Sequence, residues 1–327
     1  MKNIKLQDIA NKAGCSKNTA SLILRGATKF SKELAEQVKE IAKNSGYIPN
    51  YAARNLASQK SDIIGIYTPT INDPVRAGII NDLIQNIHKA NYKPFLGIGT
   101  PTNGINQSIS WMNTFKHLNV ALLVLVAQYE MEPKELTNDV PLLVLGCQPP
   151  ENKIPHDYIA WDRSEVARIA MDHLIDRGYE YIINGCSANT ITGQKFLTEL
   201  KKSNLSHTHF ELSITNQTND LLKIIDKIQK IKTKRRKAIF FGDTLLAVKF
   251  MDMALNAKIK IPKDLAVISY DYFPWADSLK VPLTTICQPI EQMSEKAIDI
   301  IKYRLANKNS PFINKVIPHK LIVRKST

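Results

Sequence analysis

This 327-residue chain is poor in cysteine, glycine and aromatics, and each shortage removes a class of protein. Its four cysteines, at 15, 147, 186 and 287, stand far apart and show no metal-type spacing. Isolated thiols in a reducing cytoplasm are expected, not a disulfide framework or a zinc site. Its glycines form no Gly-rich phosphate loop. His207 and His209 have a spacing seen in metal sites, but no Cys or carboxylate cluster joins them, so a solvated turn is expected. No uninterrupted apolar stretch is long enough to span a membrane, and residues 120–127 are far too short. Ala13-Gly14-Cys15 superficially matches a lipoprotein cleavage site. Asp8 and Lys12 lie where an apolar run belongs, so no signal peptide is expected. No Ser/His/Asp, Cys/His or paired-carboxylate arrangement stands out. The expectation is no enzyme, no metal and no cofactor.

Acidic residues are also short. Lys and Arg number 44 against 30 Asp and Glu, for a net charge of +14. Residues 1–60 hold 11 of those cations and 4 of the acids, so half the excess sits on under a fifth of the chain. A basic head on a less basic body suits a polyanion, whose counterion release drives binding. A merely lysine-rich protein would carry the same charge. The run 232–237 (Lys232, Lys234, Arg235, Arg236, Lys237) reads as a solvated helix end.

Residues 6–26 read as two short helices joined by a tight turn. Asp8 opens a stretch with Ile9, Ala10 and Ala13 on one face. Gly14 stops it, because glycine takes a left-handed turn at little steric cost. Ser16 is the expected N-cap of the second helix. Ala20, Ile23 and Leu24 should face the first helix, leaving Lys17, Asn18 and Ser21 outward, able to donate to base edges or phosphates. An ordinary surface helical hairpin has the same pattern. A third amphipathic helix over 32–45 carries Leu34, Val38, Ile41 and Ala42 on one face and ends at Gly46. Residues 50–58 read as a short helix capped by Asn50.

From residue 61 the period changes. Apolar runs at 63–67, 94–98, 121–127 and 142–145 read as buried strands, with helices at 79–89 and 108–117 between them. A second series has helices at 164–177, 196–202, 221–230, 245–257 and 292–305. Its strands fall at 181–185, 210–214, 238–241, 265–270 and 316–323. Such alternation predicts an α/β core of two doubly wound parallel-sheet lobes, preceded by a small all-α helix-turn-helix head. Ligands in such folds bind beyond the carboxyl ends of the strands.

Several motifs carry a family resemblance: Asp8-Ile9-Ala10, Ala13-Gly14-Cys15-Ser16, Thr19, Ser21, Gly46-Tyr47-Ile48-Pro49-Asn50 and Ala53-Arg54-Asn55-Leu56. On these, residues 1–60 resemble the head of the lactose-repressor (LacI/GalR) family of bacterial transcription regulators. Asn72-Asp73-Pro74, Asp162, His173-Leu174-Ile175 with Gly178, Phe196, Asp243, Ile261-Pro262, Tyr270-Asp271 and Leu283-Thr284-Thr285-Ile286 extend it over nearly the whole chain. The resemblance implies a head at 1–49, a hinge at 50–60 and a periplasmic-binding-protein-like core at 61–327. Its first lobe would take about 61–160 and 290–315, its second about 161–289 and 316–327.

The resemblance also implies DNA contacts at Leu6, Ser16, Lys17, Asn18, Ser21, Leu22 and Lys29, with Thr19 in the same helix. Asn18 can pair bidentately with adenine and Lys17 can donate to guanine. Leu22 stands where much of the family has arginine, and leucine offers only contact with a thymine methyl, so the operator should differ there. In the hinge helix, with Asn50 and Ala53, Leu56 matches the leucine that wedges between base pairs in the minor groove. A plain linker is the alternative. Family members dimerise through the core, which presents two heads to a near-palindrome. With little chain beyond the last strand for a coiled coil, a homodimer and no tetramer is expected.

The effector cleft departs most from the family. Thr192 replaces the usual arginine, Arg163 the usual asparagine after Asp162, and Val75-Arg76 the expected aromatic pair. Asp271 can accept from ligand hydroxyls, with Asp243 a further landmark. Trp161, Tyr272 and Trp275 are candidate stacking surfaces, the two tryptophans equally readable as core. Arg76 and Arg163 suggest a small sugar-like effector of anionic character. The simpler reading, that they are solvated or pair with local acids, weighs more. The function expected is a cytoplasmic, sequence-specific DNA-binding regulator, most readily a repressor, that binds operator DNA as a dimer and responds to a small effector. The alternatives are a small-molecule-binding protein of the same core fold without DNA function, or a regulator that needs no effector.

Overall fold

The computed structural model describes residues 4–24, 26–47, 61–99, 104–126, 140–146, 156–210 and 217–327. The chain divides into two compact units, Met1–Ser61 and Asp62–Thr327.

In the first unit α1 spans Leu6–Lys12, α2 Lys17–Leu24 and α3 Lys32–Asn44. Each boundary has a local cause. The Asp8 carboxylate accepts the Lys5 backbone N–H at 2.8 Å and holds the first turn of α1. Gly14 ends the helix at φ +64°, where the Cys15 N–H donates back to the Ala10 carbonyl at 3.0 Å. Ser16 Oγ accepts the Thr19 N–H at 3.0 Å, and Ser31 Oγ caps α3 through the Leu34 N–H. The core is small: Ile9, Ala10, Ala13, Ala20, Ile23, Val38 and Ala42. Each large member contributes about 1.5–3 kcal/mol by burial, so three such side chains and their alanine neighbours make a compact but modest core.

The second unit opens with β1 (Ile63–Thr68), α4 (Pro74–Lys89), β2 (Lys93–Ile98), α5 (Gly104–His117), β3 (Leu122–Val126), β4 (Leu142–Gly146) and β5 (Asp157–Ala160). A second series follows: α6 (Ser164–Asp176), β6 (Tyr181–Asn184), α7 (Ile191–Lys202), β7 (Ser206–His209), α8 (Gln217–Lys230), β8 (Lys237–Phe241), α9 (Thr244–Asn256), β9 (Ala266–Tyr270) and β10 (Thr284–Cys287). The chain then returns through α10 (Ile290–Ala306), β11 (Asn314–Val316) and β12 (Lys320–Ile322).

These strands make two six-stranded sheets, β11-β5-β4-β3-β1-β2 and β12-β10-β9-β8-β6-β7. Among the described residues all pairings are parallel except β12 against β10. Both faces of each sheet are covered. Alternate residues of β1 and β3 send Ile66 and Val124 toward α4 and α10, and Tyr67 and Leu123 toward α5. In the second sheet Ile239 and Phe241 meet α8 and α9, whereas Ala238 and Phe240 meet α6 and α7.

Three crossings join the lobes: 161–163, 288–289 and 317–319. The expected single strand at 316–323 needs correction. It is two strands, β11 in the first sheet and β12 in the second. Ile317 N–H still donates to the Ala160 carbonyl at 2.8 Å, but Pro318 has no N–H with which to continue the ladder. Strands β5 and β10 were not expected. Each is four residues long, with polar Asp157 opening β5 and two threonines opening β10, so neither stands out as an apolar run. The expected strand at 210–214 is observed as Ser206–His209, and 211–216 lie outside the described residues. At the base of the first lobe Asp157 and Arg304, 1% and 2% exposed, form a bidentate pair at 2.7 and 2.8 Å.

Candidate DNA-binding head and ligand cavity

The head places one helix with two chemically different sides. Ala20 and Ile23 of α2 are buried, while Lys17 and Asn18 are exposed. The hundred-degree step between successive helical residues produces this separation. Ser16 is exposed, and its hydroxyl also lies 2.8 Å from Thr19 Oγ1, so both residues serve the cap. Ser21 and Leu22 are half-buried beside the outward face, and Leu6 packs partly against the head core. Lys29 is exposed, its ammonium 5.5 Å from the Phe30 ring centre. Lysine and amide donors on an exposed helix face can reach phosphates and base edges. Asn50, Ala53 and Leu56 lie outside the described residues.

A cavity of about 240 Å³ opens between the two lobes of the second unit. Val126 and Leu145 close β3 and β4 on one side. Asp243, Thr244 and Asp271 follow β8 and β9 on the other. It therefore sits at carboxyl ends of strands from both sheets. Trp161, Arg163 and Gln288 enter from the crossings, Phe273 lines the second lobe's side, and Tyr272 follows β9 but packs against the first lobe's core. Six residues expected from sequence meet here: Arg76, Trp161, Arg163, Asp243, Asp271 and Tyr272. Thr192 does not line the cavity; it is buried on α7 within the second lobe. Trp275 is 61% exposed, stands edge-on to Phe273 and is not part of the wall.

Asp271 is the most constrained of these residues. Its φ of +113° is unfavourable for a residue with a side chain. The surroundings hold it there. Its N–H donates to the Ile286 carbonyl at 3.1 Å, its carbonyl accepts from Thr244 Oγ1 at 3.1 Å, and its Oδ1 accepts from Gln288 Nε2 at 2.6 Å. The Gln288 side-chain oxygen in turn accepts the Tyr272 N–H at 2.9 Å. Burial pushes the Asp271 carboxyl up to about 7. The Gln288 hydrogen bond and the Arg163 charge oppose that rise, while Asp243 and Asp73 add to it. Strain and a displaced pKa in a cleft are the marks of a ligand-handling residue.

The two arginines differ. Arg76 Nη1 pairs with Asp73 Oδ2 at 2.6 Å, one turn away on α4. Arg163 sits where the chain enters α6 and acts on both Asp271 and His319. His319 lies on the third crossing with Nε2 3.3 Å from the Tyr270 hydroxyl, and burial lowers its pKa to about 4. Gln288, Asp73 and Phe273 also line the cavity and were not expected there from sequence. Asp73 stands within the Asn72-Asp73-Pro74 landmark, and the orientation of all three depends on which strand ends face one another. Among the described residues no group of three His, Cys, Asp or Glu side chains could hold a metal, and no helix is long and apolar enough to cross a membrane.

A capped helix with an exposed Lys-Asn face, together with a two-lobed core holding a polar cavity, defines a DNA-binding transcription regulator. Comparison with known proteins agrees. Residues 5–50 match the model for bacterial regulatory proteins of the lacI family, and residues 171–327 match a periplasmic binding protein-like domain. The two matches place a lacI-family regulatory head and a periplasmic binding protein-like domain in one chain. It is 26% identical to the NTD biosynthesis operon regulator NtdR of Bacillus subtilis (strain 168), covering 98% of this chain and 99% of that protein. It is likewise 26% identical to the ribose operon repressor of Haemophilus influenzae, covering 98% of each. The fold superposes on a lac repressor dimer bound to operator and the anti-inducer ONPF, with TM-score 0.80, 19% identity and 99% of each chain covered. A CelR–cellobiose complex matches at TM-score 0.64 and 20% identity, covering 99% of this chain and 100% of that one.

Proposed function

We propose that this regulator is a cytoplasmic repressor that binds a near-palindromic operator as a homodimer. A small sugar-like effector in the inter-lobe cavity would alter its grip on DNA. Residues 1–49 serve as the head, 50–60 as the hinge and 61–327 as the effector and dimerisation core. The hinge leucine, Leu56, is assigned to the minor groove. No catalytic step is assigned to any part of the chain.

The observation that carries this reading is the two-sided α2, with Ala20 and Ile23 buried and Lys17 and Asn18 exposed. A single head of this size touches few groups on DNA, so two are needed for tight, specific binding. Effector control follows if the ligand binds one arrangement of the lobes better than another, because only such a difference shifts the equilibrium. The test is binding of the full chain to DNA upstream of its own gene, followed by fluorescence anisotropy across a salt series. Log affinity should fall linearly with log salt, and Lys17→Ala should make the slope shallower by roughly 0.9 for each phosphate that is no longer neutralised. No binding to any duplex at low salt would remove the proposal.

A further inference from the structure

The wall of the cavity carries more acid than base. Three carboxylates line it, those of Asp73, Asp243 and Asp271, against the guanidinium groups of Arg76 and Arg163. Arg76 is committed to Asp73 at 2.6 Å. Among the described lining residues, Arg163 is then the one cation to balance both Asp243 and Asp271. The two remaining carboxylates are differently placed. Asp243 caps α9 by accepting the Leu246 N–H at 3.0 Å through Oδ1. The Asp271 carboxylate accepts one side-chain hydrogen bond among the described residues, from Gln288. A second, independent feature points to a ligand. Trp161 is 5% exposed and lines the same cavity, and its indole N–H has no hydrogen-bond partner among the described residues. A buried donor of that kind is costly to leave unmet, and a hydroxyl or ring oxygen would satisfy it.

We infer that the occupant is a polyhydroxylated, sugar-sized molecule bearing a protonated amine. The amine faces Asp243 and Asp271, and a ligand oxygen accepts from Trp161. This rests on the reading of the cavity as the effector site and gives that effector a chemical class. The volume, about 240 Å³, lies below the range typical of drug-sized pockets and suits a single sugar ring. Burial is the main cause of the raised Asp271 pKa, with Asp243 and Asp73 adding to it, and an ammonium group beside these carboxyls would oppose that rise. The charge sign is thus opposite to the one that two arginines suggest when counted from sequence.

The test keeps the ring and changes the charge. D-glucose, D-glucosamine, 6-amino-6-deoxy-D-glucose and D-glucose 6-phosphate are titrated into the full-length protein at pH 7 by calorimetry. At least one amino sugar should bind tenfold or more tightly than glucose. Asp243→Asn should reduce that preference to under threefold, and α9 stays capped because asparagine caps a helix as well as aspartate does. Asp271→Asn gives a second reading of the same effect. Amino sugars binding no more tightly than glucose, or the phosphate binding most tightly, would overturn the amine assignment while sparing the cavity. Failure of all four to bind would overturn the cavity as a site for a single sugar ring, and the inference with it.

Discussion

Replacing Arg304 with methionine probes how the first lobe is held together. The guanidinium is 2% exposed. Nε and Nη2 reach the two Asp157 oxygens at 2.8 and 2.7 Å, and Nη1 donates to the Ser310 carbonyl at 2.7 Å. Nη2 also donates to the Pro311 carbonyl at 2.9 Å. Methionine keeps most of the apolar stem but strips the counter-charge from Asp157, which retains the Ile313 N–H at 2.8 Å. An uncompensated buried carboxylate costs about 3–5 kcal/mol, a large share of the roughly 5–15 kcal/mol that holds a typical protein folded. For a unit this large each kcal/mol lowers the melting temperature by about 2–4 °C. Thermal and urea unfolding of Arg304→Met, Asp157→Leu and the double variant form a double-mutant cycle. The double variant should be more stable than the sum of the single effects predicts, since it leaves no lone charge. Effects that add within about 0.5 kcal/mol would refute the argument, because groups that do not interact behave that way. The pair sits where β5 begins and α10 ends, so its loss should also weaken ligand binding between the lobes.

Ser16→Ala removes the α2 cap and should cost the head about 1 kcal/mol, seen as weaker DNA binding with the core melting temperature unchanged. Leu22→Arg should shift operator preference toward guanine at one position in a randomised-site selection, since arginine donates to guanine and leucine cannot. Stability should also depend on pH through Asp271. The folded carboxyl keeps its proton up to about 7, while in the unfolded chain it ionises near 3.8. The folded state therefore binds more protons between those values, and stability from this group is fully present below them and falls as pH rises toward 7. Asp271→Asn should flatten that limb of urea midpoints measured from pH 5 to 8. His319 works in the other direction. Its folded pKa is lowered to about 4, so its contribution is present above the ordinary value of 6.5 and lost as pH falls through 4. His319→Asn should remove that acid limb from a series extended below pH 4.

Much of the architecture was legible in the sequence because it rests on local chemistry. Gly14, Ser16 and Gly46 mark helix boundaries through backbone angles and caps that involve only near neighbours. The apolar runs of β1, β3, β4, β8 and β9 are buried on both faces and announce themselves by composition alone. Strands β5 and β10 did not. Asp157 is polar because its partner, Arg304, is 147 residues away, and no local pattern encodes such a distant pair.

The amino-acid sequence by itself determined the capped head, the strand–helix alternation and the identity of six of the cavity side chains. Tertiary structure alone decided what those side chains do together. It committed Arg76 to Asp73, hung Asp271 from Gln288, sent Thr192 into the second lobe and divided the last strand between two sheets. The physical reason is that caps and burial periods are set within a turn or two of chain. The charge balance of a cleft is set by which strand ends face each other, and that depends on the packing of the whole.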